Sequence, residues 1–183
     1  MAFGSTTKLA NRFGLDLKFY KYDKSADDYK GDLAASIDFA NSCTLEISGE
    51  SVFATGGQDA RRLIKFDDPL EGTFTISTQV STMELLALVS GEDPTAVTKT
   101  ITFKNDPAAS TKSYVLEAET IYKDDADNIY TEKITLCKIQ ANKNYSVEYN
   151  GDGDPQSIEV TFTLFANEDG EVAIIERDDA SAG

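Results

Sequence analysis

Apolar and polar residues alternate through most of this chain with the period of two expected of half-buried strands. Leu15, Leu17 and Phe19 stand between Asp16, Lys18 and Tyr20, predicting a first strand that ends in the polar stretch Asp23 to Asp32. Cys43, Leu45 and Ile47 oppose Thr44, Glu46 and Ser48, and Phe74 and Ile76 oppose Thr73, Thr75 and Ser77. Val97, Ile101 and Phe103 predict a further strand that stops at Asn105-Asp106-Pro107. Residues 113–122 and 129–141 form a pair joined by Lys123 to Asn128, whose Asp and Asn residues suit a turn, so they read as one long antiparallel hairpin. In its second strand the apolar residues change face, from Ile134 and Leu136 to Cys137 and Ile139. Such a strand is either bulged or covered on both sides, and another subunit is one source of the second cover. Ile158, Val160, Phe162 and Leu164 alternate most cleanly, before a turn at Asn167 to Gly170 and a last run, Val172 to Glu176.

The period changes to that of a helix in one place only. Ser81 and Glu84 have the spacing of a capping box, Met83, Leu85, Leu86 and Val89 recur at three and four residues, and Gly91 supplies a left-handed stop before Pro94. A helix over about 82–90 is too short to be stable alone and needs a larger surface to lie on. The expectation is one mainly antiparallel β domain, sandwich or barrel-like, with a single short helix at its flank.

Three segments lie outside this pattern. Residues 1–14 read as an N-terminal arm and 177–183 as a solvated tail. Residues 49–69, apolar at both ends around Thr55-Gly56-Gly57, read as a long hairpin or as a long loop of the kind that usually has a job.

A length of 183 residues suits one domain with one core. Two cysteines and a start, MAFGSTTKLANR, without an apolar signal segment point to synthesis and function without export, and no run has the length of a membrane span. Seventeen Lys and Arg against 32 Asp and Glu give a net charge of −15, which disfavours binding to the outside of DNA or to an anionic membrane. The charge is uneven. From Asn144 to Glu176 there are eight acids and no base, while Arg61, Arg62 and Lys65 are an island with no other base between Lys30 and Lys99.

No histidine is present, which removes the Ser-His-Asp and Cys-His nucleophile arrangements and the usual zinc sites. Cys43 and Cys137 fit as small buried apolar residues. Among 32 acids, close carboxylate pairs arise by chance and nothing singles one out for glycosidase chemistry. Asn150-Gly-Asp152-Gly-Asp154 begins like a calcium loop, but Pro155 stands where that loop needs glycine. Gly56-Gly57 lacks the Lys-Ser/Thr and helix of a phosphate cradle and reads as a tight turn. Neither a catalytic site, a metal nor a cofactor is expected. Arg61 and Arg62 are either two solvated charges or partners for acids on a neighbouring subunit.

The order of these pieces resembles the tail tube proteins of tailed bacteriophages. It is carried by Ser51-Val-Phe-Ala-Thr-Gly-Gly-Gln-Asp-Ala-Arg-Arg-Leu-Ile-Lys-Phe66, the Thr-rich strand Gly72-Thr-Phe-Thr-Ile-Ser-Thr78, the Leu85-Leu86-Ala87 helix and a late strand ending near Phe165-Ala-Asn, over about Cys43 to Val172. The resemblance implies a structural virion protein, made in the host cytoplasm, that assembles with itself as six-membered rings stacked into a hollow tube. DNA would pass along the tube without tight binding, and sheath, baseplate or terminator proteins would be further partners. The segment 49–69 would bridge to a neighbouring subunit or ring, making Phe53, Gly56, Gly57, Arg61, Arg62 and Lys65 the expected interface, with Glu117, Glu119 and Glu159 expected in the bore. Contractile injection and secretion tubes share the architecture and are the near alternative. A monomeric β-sandwich binding module is the alternative from another class, although the absence of Trp removes its usual aromatic platform.

Overall fold

A computed structural model describes residues 10–11, 16–38, 40–56, 61–97, 99–104, 112–123, 128–142, 146–147 and 158–178. Twelve strands are seen among them: β1 (Ala10–Asn11), β2 (Asp16–Tyr22), β3 (Lys30–Ile37), β4 (Ala40–Ser48), β5 (Ser51–Gly56), β6 (Arg61–Asp67), β7 (Glu71–Thr78), β8 (Ser113–Lys123), β9 (Ile129–Ala141), β10 (Ser146–Val147), β11 (Ile158–Leu164) and β12 (Ala173–Arg177). One helix, α1 (Met83–Ser90), follows β7. The fold is mainly β, with one short helix, as its alternating pattern requires.

Ten strands form one antiparallel sheet in the order β3-β2-β8-β9-β11-β7-β4, with β1 on β8, β10 on β11 and β12 on β9. The two ends of this order, β3 and β4, are consecutive in the chain. Ile37 and Ala40 are three positions apart and so at most about 11 Å from each other. The sheet must therefore curl until its first and last strands meet at that corner, which gives it a barrel-like inside. Leu17, Phe19, Ile76, Leu116, Leu136, Ile139, Val160 and Phe162 meet there and are wholly buried. The Phe19 and Phe162 rings, from strands three places apart in the sheet, lie 5.4 Å apart in a tilted pair.

The face change in β9 has a local cause. Leu116 pairs with Leu136 and Tyr114 with Ile139, so two residues of β9, Cys137 and Lys138, oppose the single residue Val115. This is a β-bulge, and it turns the following residues back to the inside. The bulge is also where β9 exchanges neighbours, pairing with β12 before it and β11 after it. The freed backbone groups go to the segment between those two strands: Cys137 donates its N–H to the Val172 carbonyl at 3.0 Å, and the Lys138 carbonyl accepts from Phe165 N–H at 2.8 Å. The cover over the bulge thus comes from the chain itself.

The helix is where the periodicity puts it, but its cap is one residue later than the Ser81 to Glu84 spacing implies. Thr82, extended at φ −110°, ψ 155°, accepts the Leu85 N–H on its hydroxyl at 3.2 Å. Glu84 then lies in the first turn, where a carboxylate suits the helix dipole. Gly91 closes the other end at φ 81°, its N–H bonded to the Ala87 carbonyl, a conformation that favours glycine. Leu85, Ala87, Leu88 and Val89 are buried, packing against β3, and Met83 and Leu86 are only half covered.

Two expectations need correction. Residues 97 and 99–104 contain no strand: Phe103 is half exposed, and Thr102 N–H bonds to the Glu92 carboxylate at 3.2 Å instead of a ladder. Arg177 is no part of a solvated tail. It ends β12, and its guanidinium pairs with the buried Glu132 carboxylate while lying over the Tyr122 ring. Conversely, β3 escaped the sequence reading because its inward residues include Ala34 and Ala35, too small to mark a strand by hydropathy.

Candidate functional site

The segment between residues 49 and 69 is a hairpin, and its placement is the main finding. In the body, β4 pairs with β7 through Ile47 opposite Gly72 and Ser48 opposite Glu71. Beyond a break at residues 49–50 and 68–70, β5 pairs with β6 from Ser51 opposite Asp67 to Gly56 opposite Arg61. Across the break, Asp68 still donates its N–H to the Glu50 carbonyl at 2.9 Å. The two hairpins are therefore one ribbon with nearly continuous register. Its outer part runs eight positions past Ser48 (56 − 48), about 27 Å at the rise of a strand. There it forms a two-stranded sheet of its own.

This outer ribbon holds most of the expected interface residues. Phe53 is in register with Lys65, Thr55 with Arg62 and Gly56 with Arg61, with a register shift between Ala54 and Thr55. Gly57 lies outside the described residues. Lys65 is exposed and forms an ion pair with Asp67, whose carboxylate also accepts from the Ser51 hydroxyl at 2.7 Å. The hydrogen bonds from Lys65 and Ser51 hold Asp67 below the usual carboxylate range. Lys65 thus has a partner in its own hairpin.

The three glutamates named for a bore stand on the outward face of the sheet but do not come together. Glu117 sits opposite Lys18 and Thr135, and Glu119 opposite Asp16 and Lys133. Glu159 sits opposite Ser77. From Thr135 to Gln140 is five positions, Gln140 faces Thr163, and Thr163 to Glu159 is four more; the nine positions amount to roughly 30 Å along the strands. Glu117 is also neutralised where it stands. Its Oε1 accepts from both Lys30 and Lys133 at 2.8 Å, and Lys30 also pairs with Asp28. Partial burial pushes the Glu117 carboxyl up, but these two lysines outweigh it and hold the group below the usual range.

Between these ends, the outward face changes character. Around β4, β7, β11 and the end of β9 it carries Thr44, Thr73, Thr75, Ser77, Thr161, Thr163, Gln140 and Asn142, with Glu46 and Glu159; among the described residues the nearest base on β9 is Lys138, which lies over the Tyr22 ring. Neighbouring hydroxyls and amides satisfy one another, as in Thr75 with Thr161 at 3.2 Å and Thr163 to the Asn142 oxygen at 2.7 Å.

A surface that the sequence did not reveal lies at the root of the ribbon. Leu70, Leu164 and Phe165 line a groove of about 590 Å³ edged by Glu46 and Glu71. Leu70 is 57% exposed, Phe165 40% and the adjoining Ile47 42%. Gly72 makes the groove possible: a Cβ there would stand 2.8 Å from the Glu46 carbonyl and 3.2 Å from the Leu164 side chain. A second hollow of about 390 Å³ continues it past Ser48 to Glu50 and Asp68. The groove is assembled from three stretches far apart in sequence, so no periodicity announces it.

Among the described residues, no group of three or more carboxylates and thiols is arranged to hold a metal ion. Burial pushes the Cys43 and Cys137 thiols up to about 11, so neither is a ready nucleophile at neutral pH. Cys137 is buried and Cys43 half-buried. Among the described residues, no helix is long and apolar enough to cross a membrane. Comparison with family models and with characterised proteins finds no match to this chain.

Proposed function

We propose that this chain is a self-assembling structural subunit, the repeating unit of a hollow tube of the phage tail type, in which rings of six stack to form a conduit for DNA. The observation that carries the reading is the ribbon. A two-stranded hairpin is marginal by itself in water, yet this one extends about 27 Å past the sheet that anchors it. Its sequence, with Val52, Phe53, Leu63, Ile64 and Phe66, is far more apolar than a solvated loop requires. A second copy is the natural source of cover, and an element that reaches from one copy to the next is what a stacked polymer needs.

The hydroxyl and amide face around β7 and β11 suits the wall of such a conduit. Among the described residues this face is hydroxyl, amide and acid, which offers phosphates few ion pairs, and contacts that individually attract DNA would accumulate along a tube. A ring of six would carry −90 (6 × −15). A narrow protein-walled channel focuses the field of its lining, so such a ring would repel a polyanion more strongly than an open surface does. The same reading makes the virion the place of the protein and assigns it no reaction and no cofactor. The injection-particle form of the same tube remains within this proposal.

Negative-stain microscopy of the purified chain tests it, across concentrations up to the millimolar range and at salt high enough to screen the subunit charge. Rings or hollow tubes are the expected result. Isolated single copies under all these conditions would end the proposal.

A further inference from the structure

The groove at the root of the ribbon and the basic, apolar strand Arg61–Asp67 are complementary in chemistry. We infer that the groove formed by Leu70, Leu164 and Phe165 receives the Arg61–Asp67 strand of a second copy, so that each copy gives its ribbon to one neighbour and takes the ribbon of another. This rests on the assembly reading above and names the surface through which assembly proceeds.

Three observations support it. First, the groove offers apolar surface with an acidic rim: Glu46 and Glu71 edge it, Glu50 and Asp68 line the adjoining hollow, and neither has a basic residue in its lining. An apolar patch exposed at the junction of three strands is a mark of an interaction site. Second, its occupant should be apolar and basic at once. Between Lys30 and Lys99 the chain has bases in one place, Arg61-Arg62-Leu63-Ile64-Lys65-Phe66, where they flank apolar residues. Arg61 and Arg62 are of the residue type whose planar guanidinium suits a carboxylate rim. Third, the ribbon has reach: its last described pair, Gly56 with Arg61, is eight strand positions from Ser48, about 27 Å of extended chain, so the arginine end stands far along the ribbon from the groove at its root.

The contact so defined is head-to-tail, because two different patches of the same chain meet. Such an interface does not close as a dimer. It repeats, into a ring where the rotation closes and into a filament where it does not.

The test uses the full chain in four forms: wild type, an arm variant (Arg61→Glu with Arg62→Glu), a groove variant (Glu46→Lys with Glu71→Lys), and the combination. All four substituted groups are chosen for charge. Glu46, on the outermost strand β4, and Glu71, at the start of β7, are exposed, and circular dichroism with thermal melting checks that each form is folded. Sedimentation velocity reads the assembled fraction. Each variant alone is expected to assemble at least about tenfold less than wild type at matched concentration, and the combination, with both signs exchanged, to recover most of it. An equimolar mixture of the arm variant and the groove variant should recover assembly that neither shows alone, since each arm then meets a groove of opposite sign on the other variant and the two alternate along the polymer. A groove variant that assembles like wild type, or a folded combination no better than its worse parent, overturns the inference.

The outcomes also separate this docking from the tube reading. Tubes from wild type with a harmless groove variant would discard the docking and keep the tube. Chaining through this contact without a hollow product would keep the docking and discard the tube. Single copies of wild type under all conditions would discard both.

Discussion

Strands β6 and β7 are separated by three residues and live under opposite conditions. β7 is flanked on one side by β11 and on the other by β4, and Phe74 and Ile76 are buried from it. Among the described residues, β6 is hydrogen-bonded to β5 alone. The backbone ladder is the same in kind in both places. What differs is the number of neighbouring strands, and hydrogen bonds exchanged with water contribute only modestly by themselves. Stability in the body therefore comes from the curled sheet closing over one apolar interior, whereas the ribbon owes its shape to the β4–β7 pair that feeds it. Two neighbouring stretches of similar apolar content thus serve different ends, one as core and one as reach.

The sharpest way to break this contrast is to open the body. Phe162→Ala removes a wholly buried ring that packs on Phe19, and should cost about 3–5 kcal/mol in chemical denaturation. A loss under about 1 kcal/mol would mean the interior is not organised around β11.

A smaller effect is expected on the charged outer face. Glu117→Gln should cost about 1–3 kcal/mol at neutral pH by weakening two charge-assisted bonds. Since the folded carboxyl is held below its ordinary value, its contribution is complete above the usual Glu range and is lost as pH falls through the depressed value. The difference between wild type and Glu117→Gln should accordingly shrink on acidification. A gap that stays constant from neutral pH to about pH 3 would show that the lysines do not favour the ionised form.

The smallest effect should follow the largest change. Replacing residues 49–70 by Asn-Gly joins Ser48 to Glu71 through a two-residue hairpin turn of the favoured kind. The body should keep its unfolding free energy within about 1 kcal/mol while the chain loses assembly. Loss of folding on excision would show that the ribbon is part of the core after all.

The sequence made the body more legible than the working surface, for a physical reason. Alternation marks strands packed on one side, so β2, β7 and β11 stood out, with Leu17, Phe19, Phe74, Ile76, Val160 and Phe162 inward. It fails where packing uses small residues, as at Ala34 and Ala35, and where an apolar stretch stays at the surface without a strand partner, as at residues 101–104 with Phe103 half exposed. The face change at Leu136 and Cys137 was visible, and its cause, a bulge where β12 gives way to β11, lies in long-range pairing. The ribbon's span was readable from Gly49 to Pro69. Its continuity with β4–β7 and the groove at its root were not, because both depend on which distant strand ends lie side by side.

The continuity of the ribbon with β4 and β7 has a mechanical consequence. A load drawn along the arm enters the body parallel to its strands, and in antiparallel ladders the hydrogen bonds run perpendicular to the strands. The seven pairs that join β7 to β11, from Gly72 opposite Leu164 to Thr78 opposite Ile158, are therefore sheared together instead of being peeled one at a time. A link between copies built this way resists tension as a unit, with the lap joint placed between two interior strands of the sheet.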